Sequence, residues 1–253
     1  MMKHRKLMTI LLIALLSITL TGCIGSEEWQ APGVTLSVGP EGDSEQVSTG
    51  VQLLVLLTVL SLAPAILILA TSFTRIVIVL SMVRSAIGTP TIPPNQIVIG
   101  LSLLLTFFVM NPVYQEVNAQ AVQPYLEGEI QQEEALDQAV EPVRNFMFSQ
   151  VREKDLELFV SLNGQDRPET LDDIPTIVLL PAFVISELRA AFIMGFAIYI
   201  PFLVIDMIIS SILLAMGMMM LPPSLISLPF KILLFVMVDG WYLITRSLST
   251  SFF

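Results

Sequence analysis

The chain has 253 residues, of which 54% are hydrophobic and 13% charged, with a net charge of −10 and a mean hydropathy of +0.79. Soluble domains carry about 25% charged residues, so this composition excludes an ordinary soluble protein and indicates a polytopic membrane protein with one modest soluble insert. The only histidine is His4 and the only cysteine is Cys23, which excludes an intrachain disulfide and a cluster of zinc, iron or copper ligands. No glycine-rich phosphate motif occurs, so nucleotide-driven chemistry has no support in the sequence. Neither a cofactor nor nucleic acid is an expected partner.

Residues 1–22 have the layout of a secretory signal peptide. Three basic residues in the first six positions precede an apolar stretch from Leu7 to Leu20. Residues 20–23 also resemble the box at which bacterial lipoproteins are cleaved and acylated, which makes Cys23 a candidate lipidation site beside ordinary cleavage. Residues 23–50 contain five acids and no base, so we expect a flexible extracytoplasmic tail.

Residues 51–113 predict an N-terminal membrane hairpin. Val51 to Phe73 and Ile97 to Val113 are apolar runs, and roughly 20 such residues are enough to cross a bilayer. The connector between them contains Arg75 and Arg84 and no acid. We therefore expect the connector in the cytosol and both outer ends of the hairpin outside it.

Residues 114–175 predict a small, helical, extracytoplasmic insert. Positions 114–174 hold 14 acids and 4 bases, a balance of −10 that equals the net charge of the whole chain. Glu141-Pro142 indicates a helix start with proline in the first turn, and apolar residues then recur at helical spacing to Val151. Residues 152–155 should stay in solvent. The acid-rich part is either a solvated face or a surface that attracts basic cargo or partners.

Residues 176–253 predict a C-terminal membrane and pore region. The segment from Pro175 to Pro223 is long enough for two spans, and Ser224 to Phe253 either spans or packs obliquely. The expected fold is therefore an all-α polytopic membrane protein built of helical hairpins, with four or five apolar spans.

Five charged residues in this region need partners, because a charge at bilayer depth costs about 3 kcal/mol even on insertion scales. They are Glu187, Arg189, Asp206, Lys231 and Asp239. We expect them to pair across helices or between subunits, for instance Lys231 with Glu187 or with Asp206. A proton relay is the functional alternative.

Met218, Met219 and Met220 stand immediately before Leu221 and Pro222-Pro223. Methionine is apolar, unbranched and adaptable, so the run fits either ordinary apolar packing or a deformable seal in a channel. An enzyme is not expected, because the mature chain has no histidine to activate its scattered serines. A small-solute carrier is a further alternative, although no inverted repeat is visible.

Four segments, in order along the chain, carry the motifs of one known family. They are Arg75 through Pro112 with Gly88-Thr89-Pro90 and Pro93-Pro94-Asn95-Gln96, Pro181 through Phe196, Pro201 through Pro223, and Leu228 through Trp241. These segments resemble the FliP family of flagellar type III export-gate proteins, related to the virulence-type secretion gates. The resemblance covers residues 51–253 and is weakest in the acidic insert.

The resemblance implies a structural subunit of the flagellar basal body in the bacterial cytoplasmic membrane. It implies a pentamer that joins FliQ and FliR, near FliB-type export-switch and FlhA-type export subunits, in contact with membrane lipid. Unfolded flagellar subunits would pass through its channel, with Met218, Met219 and Met220 as the constriction. It also implies hairpins raised largely out of the lipid plane. A virulence-type export gate is the alternative, and the leader and the Gly88-Thr89-Pro90 turn favour the flagellar branch.

Overall fold

The computed structural model describes residues 44–164, 170–171, 173–218 and 220–253. The predicted signal peptide, the lipidation candidate Cys23 and the constriction residue Met219 lie outside the described residues. Every regular element within the described ranges is helical, which confirms the all-α class. The helices are α1 (Ser44–Leu69), α2 (Phe73–Ile87), α3 (Asn95–Val117), a π-helical segment (Asn118–Val122), α4 (Gln123–Glu127), α5 (Gln132–Gln150), α6 (Glu153–Leu162), α7 (Thr176–Ala215), α8 (Pro223–Met237) and α9 (Gly240–Thr250).

The chain forms two compact units, Met1–Leu56 and Leu57–Phe253. In the first, the described part is the beginning of α1. Both hydrophobic clusters and the ion pairs lie within the second unit.

Helix α2 occupies the middle of the larger hydrophobic cluster. Its buried residues recur every three or four positions, which is one face of a helix: Ile76, Val79, Leu80, Val83, Ala86 and Ile87. The helix ends at Gly88, whose φ of 90° is left-handed and easily adopted by glycine. The connector that the sequence places in the cytosol is therefore largely a packed helix, followed by a short turn to α3.

Helix α3 continues past the end of its apolar run. Pro112 lies inside it, and the helical path extends through the π-helical segment and α4 to Glu127. The first part of the predicted insert is thus a direct extension of the second predicted span.

Helix α5 begins at Gln132, nine residues before Glu141 of the expected start at Glu141-Pro142. Gln131 is extended, and Glu133 and Glu134 occupy the first turn, where carboxylates interact favourably with the helix dipole. Pro142 lies inside the helix and is buried. Proline in a helix interior costs a hydrogen bond, so packing of its ring against neighbouring residues outweighs the local penalty that the sequence prediction relied on.

Helix α7 is the longest element, with 40 residues and a length of about 60 Å. Its first two turns pack on α5 in a second hydrophobic cluster that contains Met147, Val178, Leu179 and Phe183. Further along, Ala191 and Phe202 join the larger cluster with residues of α2, α3, α8 and α9. The acidic insert is therefore seated on one end of α7.

Within the described part of the chain, two helical segments, Asn95–Glu127 and Thr176–Ala215, are long and apolar enough to cross a membrane. Helices α8 and α9, which are bent by 63° at their junction, make a third if they act as one span. Helix α1 contains a shorter apolar stretch, Leu53–Ile66. The protein is thus an all-α membrane protein, and its expected four or five spans stay a prediction.

Candidate functional site

Arg75 and Glu187 form a buried ion pair between α2 and α7. Arg75 Nε donates to Glu187 Oε2 at 2.9 Å, and Nη2 donates to Oε1 of the same carboxylate. The Glu187 side chain is 0% exposed. A two-pronged arginine–carboxylate pair has a defined geometry as well as a charge interaction, so it fixes α2 against α7 in one register.

Arg75 also binds the end of α5 and the C-terminal residues. Nη1 donates to the carbonyl and the hydroxyl of Ser251, both at 3.0 Å, and Nη2 donates to Gln150 Oε1 at 3.1 Å. The guanidinium carbon lies 4.0 Å from the ring centroid of Phe252, which is a cation–π contact. One arginine therefore joins α2, α5, α7 and the C-terminal residues.

The partner of Glu187 within the chain is thus Arg75, a residue expected in a cytosolic connector and left out of the candidate pairs. Arg75 is only 5% exposed. The signal was present in the sequence, since Arg75 precedes Val79 and Val83 by one and two helical turns and so shares their apolar face. An arginine on such a face needs an acid from elsewhere in the fold.

Lys231 of α8 binds Asp206 of α7 at the other end of α2. Lys231 Nζ donates to Asp206 Oδ2 at 2.6 Å and to the carbonyl of Ala86 at 3.3 Å. Ser227 Oγ donates to Asp206 Oδ1 at 2.6 Å. The lysine is buried, whereas a third of the Asp206 side chain is exposed. This arrangement ties α7, α8 and the last turn of α2 together.

Arg189 and Asp239 are not brought to these pairs. Both are exposed, and no hydrogen bond or ion pair joins either side chain to another described residue. Asp239 has a left-handed φ of 51° at the junction of α8 and α9, which is uncommon for a non-glycine residue. Each charge stands on an otherwise apolar helical surface.

Ser186 links the acidic insert to α7. Its hydroxyl donates to Asp155 Oδ2 at 2.7 Å and accepts a bond from the amide of Arg152 at 3.0 Å. Arg152 Nη1 also lies 3.5 Å from Asp155 Oδ2. Of residues 152–155, which were expected to stay in solvent, Glu153 and Lys154 are exposed, whereas Arg152 and Asp155 provide part of the contact between α6 and α7.

The methionine loop, residues 216–222, connects α7 to α8. Gly217 has a φ of 75°, its amide donates to the carbonyl of Leu214 at 3.0 Å, and the amide of Met218 donates to Leu213 at 2.9 Å. With Gly217 in the left-handed conformation, this end of α7 satisfies the last carbonyls of the helix and turns the chain outward. Pro223 then starts α8.

Met218 is partly exposed in this loop, and Met220 is 97% exposed. The loop is therefore defined at its base by backbone bonds while Met220 projects from the protein. No group of His, Cys, Asp and Glu in the described ranges could hold a metal ion. Two ion pairs thus hold α2, α7 and α8 together, and an apolar loop connects α7 to α8.

Comparison with known sequences identifies the relatives of this chain. The FliP family matches residues 56–248. The flagellar biosynthetic protein FliP of Bacillus subtilis (strain 168) is 56% identical over 217 residues, which are 86% of this chain and 98% of the relative. FliP of Pectobacterium carotovorum subsp. carotovorum is 51% identical over 224 residues, covering 88% and 86% of the two chains. FliP of Aquifex aeolicus (strain VF5) is 46% identical over 250 residues, covering 98% and 99%.

The matched residues include α2, both ion pairs and the methionine loop, whereas Ser251 and Phe252 of the Arg75 site lie just beyond the family match. The relatives carry flagellar names, which agrees with the flagellar branch expected from the motifs. By the extent of the family match and the identity to these relatives, the chain belongs to the FliP family of flagellar biosynthetic proteins.

Proposed function

We propose that this protein is a structural subunit of the flagellar type III export gate, in which several copies surround a channel for unfolded flagellar proteins. The names of its relatives assign them to flagellar biosynthesis. The proposed narrowest point of the channel is the methionine loop. The resemblance to the family favours five copies, with FliQ and FliR completing the gate and with FliB-type and FlhA-type export subunits nearby.

The observation that carries this proposal is the exposure of Met220 in the loop between the apolar helices α7 and α8. An apolar side chain that is 97% exposed in the single chain lacks neighbours unless other subunits or a channel supply them. Methionine disfavours a continuous water column and rearranges around different passing side chains. A ring of such loops would seal an empty channel and yield to an extended polypeptide.

The remaining apolar surface supports assembly with other subunits. Phe192, Ile193 and Phe196 of α7 are among many exposed large hydrophobic residues, and Arg189 lies in the same stretch of the helix. An arginine surrounded by lipid would be unfavourable, whereas a neighbouring subunit can offer it a polar partner. The same reasoning applies to Asp239 at the α8–α9 junction.

The contacts of the C-terminal residues support one membrane topology. Gln150 Nε2 donates to the carbonyl of Phe252 at 3.2 Å, so the chain end lies beside α5 of the insert. If the insert is outside the cytosol, the C-terminal residues are outside as well, and so is Arg75, which binds both and was expected in a cytosolic connector. Helix α7 then runs toward the cytosolic side of the assembly, and α8 together with α9 runs back to the side of the insert. This arrangement supports a multi-pass protein of the bacterial inner membrane.

The proposed function is tested by replacing Met218, Met219 and Met220 together with alanine in a flagellated host. The complex should still assemble, and the resting membrane should leak ions because the alanine ring leaves a wider opening. Met207→Ala/Met237→Ala is the matched control, since both methionines are exposed on helices outside the loop. Native mass spectrometry of the solubilised complex gives its copy number. A resting conductance equal to that of the wild type would reject the seal, and a functional monomer would reject the gate.

A further inference from the structure

An apolar cavity lies beside the turn between α2 and α3. Its volume is about 200 Å³, and it is lined by Leu80, Pro93, Ile97, Val98, Leu101 and Trp241. Ile97 and Trp241 are exposed, so the cavity is accessible from the surface of the protein. It is located where the candidate span Asn95–Glu127 begins.

Arg84 stands at the rim of this cavity. It follows Leu80 by one helical turn, and its Nη1 donates to the carbonyl of Pro93 at 3.2 Å and to Asn95 Oδ1 at 2.5 Å. Both acceptors are neutral. Arg84 Nε is buried and finds no acceptor among the described residues. A buried donor without an acceptor is rare and points to a missing partner.

Among the described residues, no acidic side chain pairs with Arg84. Residues 51–115 contain no aspartate or glutamate, and none of the ion pairs in the described part of the chain involves Arg84. Glu187 and Asp206, whose partners lie in α2 or contact it, are bound by Arg75 and Lys231. In the described part of the chain, the guanidinium at the rim is thus bound by neutral oxygens alone.

We infer that this cavity binds an anionic phospholipid, with an acyl chain against the apolar lining and the phosphate at Arg84. An apolar groove with a cation at one end complements an amphiphile with a negative headgroup. Arginine donates through a planar fork that matches two phosphate oxygens, and Nε belongs to that fork. Tryptophan is enriched at membrane interfaces, which fits Trp241 in the lining. An apolar side chain of a neighbouring subunit would fill the groove but would leave the arginine without an anion.

Fluorescence of Trp241 tests the inference. The full-length chain carries two tryptophans, Trp29 and Trp241, so Trp29→Phe leaves Trp241 as the reporter. The purified protein in detergent is titrated with phosphatidylglycerol or phosphatidylcholine whose acyl chains carry bromine, which quenches tryptophan on contact. We expect phosphatidylglycerol to quench at about fivefold lower concentration, the effect of one basic residue at an anionic headgroup.

Three variants separate the contributions. Arg84→Gln should remove the preference for phosphatidylglycerol, whereas Arg84→Lys should keep most of it because the charge remains. Ile97→Phe narrows the cavity and should weaken quenching by both lipids. Lys154→Gln, which removes an exposed lysine outside the cavity lining, should leave both titrations unchanged. Gel filtration confirms that each variant keeps the size of the parent protein.

Equal quenching by the two lipids in the parent protein would overturn the inference, since it indicates lipid contact without headgroup recognition. An absence of quenching by either lipid would also overturn it, because the cavity would then be closed to acyl chains. A preference for phosphatidylglycerol that survives Arg84→Gln would assign the anion to another residue and contradict the proposed site.

Discussion

Arg75 and Glu187 are 112 positions apart in the sequence, yet the guanidinium of Arg75 binds both oxygens of the Glu187 carboxylate in a site almost without exposure. The pair lies where α2, α5, α7 and the C-terminal residues meet. The pair therefore fixes the relative placement of four segments, and loss of either charge should destabilise the packing of all four.

Replacing Arg75 with methionine should lower the free energy of unfolding by about 3–5 kcal/mol, because Glu187 is left as a buried charge without its counterion. Denaturant unfolding of the detergent-solubilised protein measures the change. Lys154→Gln, at an exposed lysine, should change stability by no more than about 0.5 kcal/mol.

The double variant Arg75→Met/Glu187→Leu should recover much of that loss, since apolar residues often replace a buried ion pair at little cost. If the double variant were as unstable as Arg75→Met alone, the unpaired charge would not be the cause of the destabilisation. The hydrogen bonds of Arg75 to Ser251 and Gln150 would then be the main contribution.

The second ion pair should respond unequally to loss of its two members. Asp206→Ala leaves the buried ammonium of Lys231 with only the carbonyl of Ala86, whereas Lys231→Met leaves a carboxylate that is one-third exposed and still bonded to Ser227. We expect Asp206→Ala to cost more than Lys231→Met, by about 1–2 kcal/mol in unfolding free energy.

Assembly of the purified complex on native gels offers a second measurement of this pair, because α7 and α8 flank the methionine loop. Assembly of Lys231→Met at the wild-type level, with unchanged stability, would contradict a clamping role for the pair.

Gly217→Ala should disturb the methionine loop without removing a methionine. An alanine at a φ of 75° costs about 1–2 kcal/mol, so the ending of α7 should shift or fray. Ion leakage through the resting complex should therefore increase. Gly100→Ala is the control: a Cβ there meets no atom within 4 Å, and alanine favours a helix interior over glycine. Equal leakage from the two variants would argue against a role of the Gly217 backbone.

Gly240 and Gly195 each pack closely against a side chain, and the two positions should differ in how well they tolerate alanine. A Cβ on Gly240 would overlap the ring of Phe235, whereas a Cβ on Gly195 would overlap mainly the end of the Met82 side chain. The Phe235 ring is held edge-on to Trp241 at a centroid distance of 5.3 Å, and methionine is flexible.

Gly240→Ala should therefore destabilise the protein by about 1–3 kcal/mol, the usual cost of overpacking a core, and Gly195→Ala by less. Thermal unfolding of the two variants in the same detergent measures the difference. The reverse order would show that the α8–α9 junction adapts more readily than the α2–α7 contact.

The sequence alone was enough for the helical membrane class and for the family. Insertion into lipid depends on the composition of windows of roughly 20 residues, which can be recognised without knowing how the windows pack. The motifs that indicate the FliP family are likewise continuous stretches. The start of α5 was mistaken because a local rule for proline was applied at Pro142, where burial in the fold outweighs it.

Only the tertiary structure decided which charges meet. Glu187 had several cations available in the sequence, and their distances along the chain do not distinguish them. The choice of Arg75 follows from the packing of α2 on α7, and the pairing of Lys231 with Asp206 follows from the packing of α8 on α7. Hydropathy is a local property of the chain, whereas an ion pair depends on two helices whose relative position is set by every contact between them.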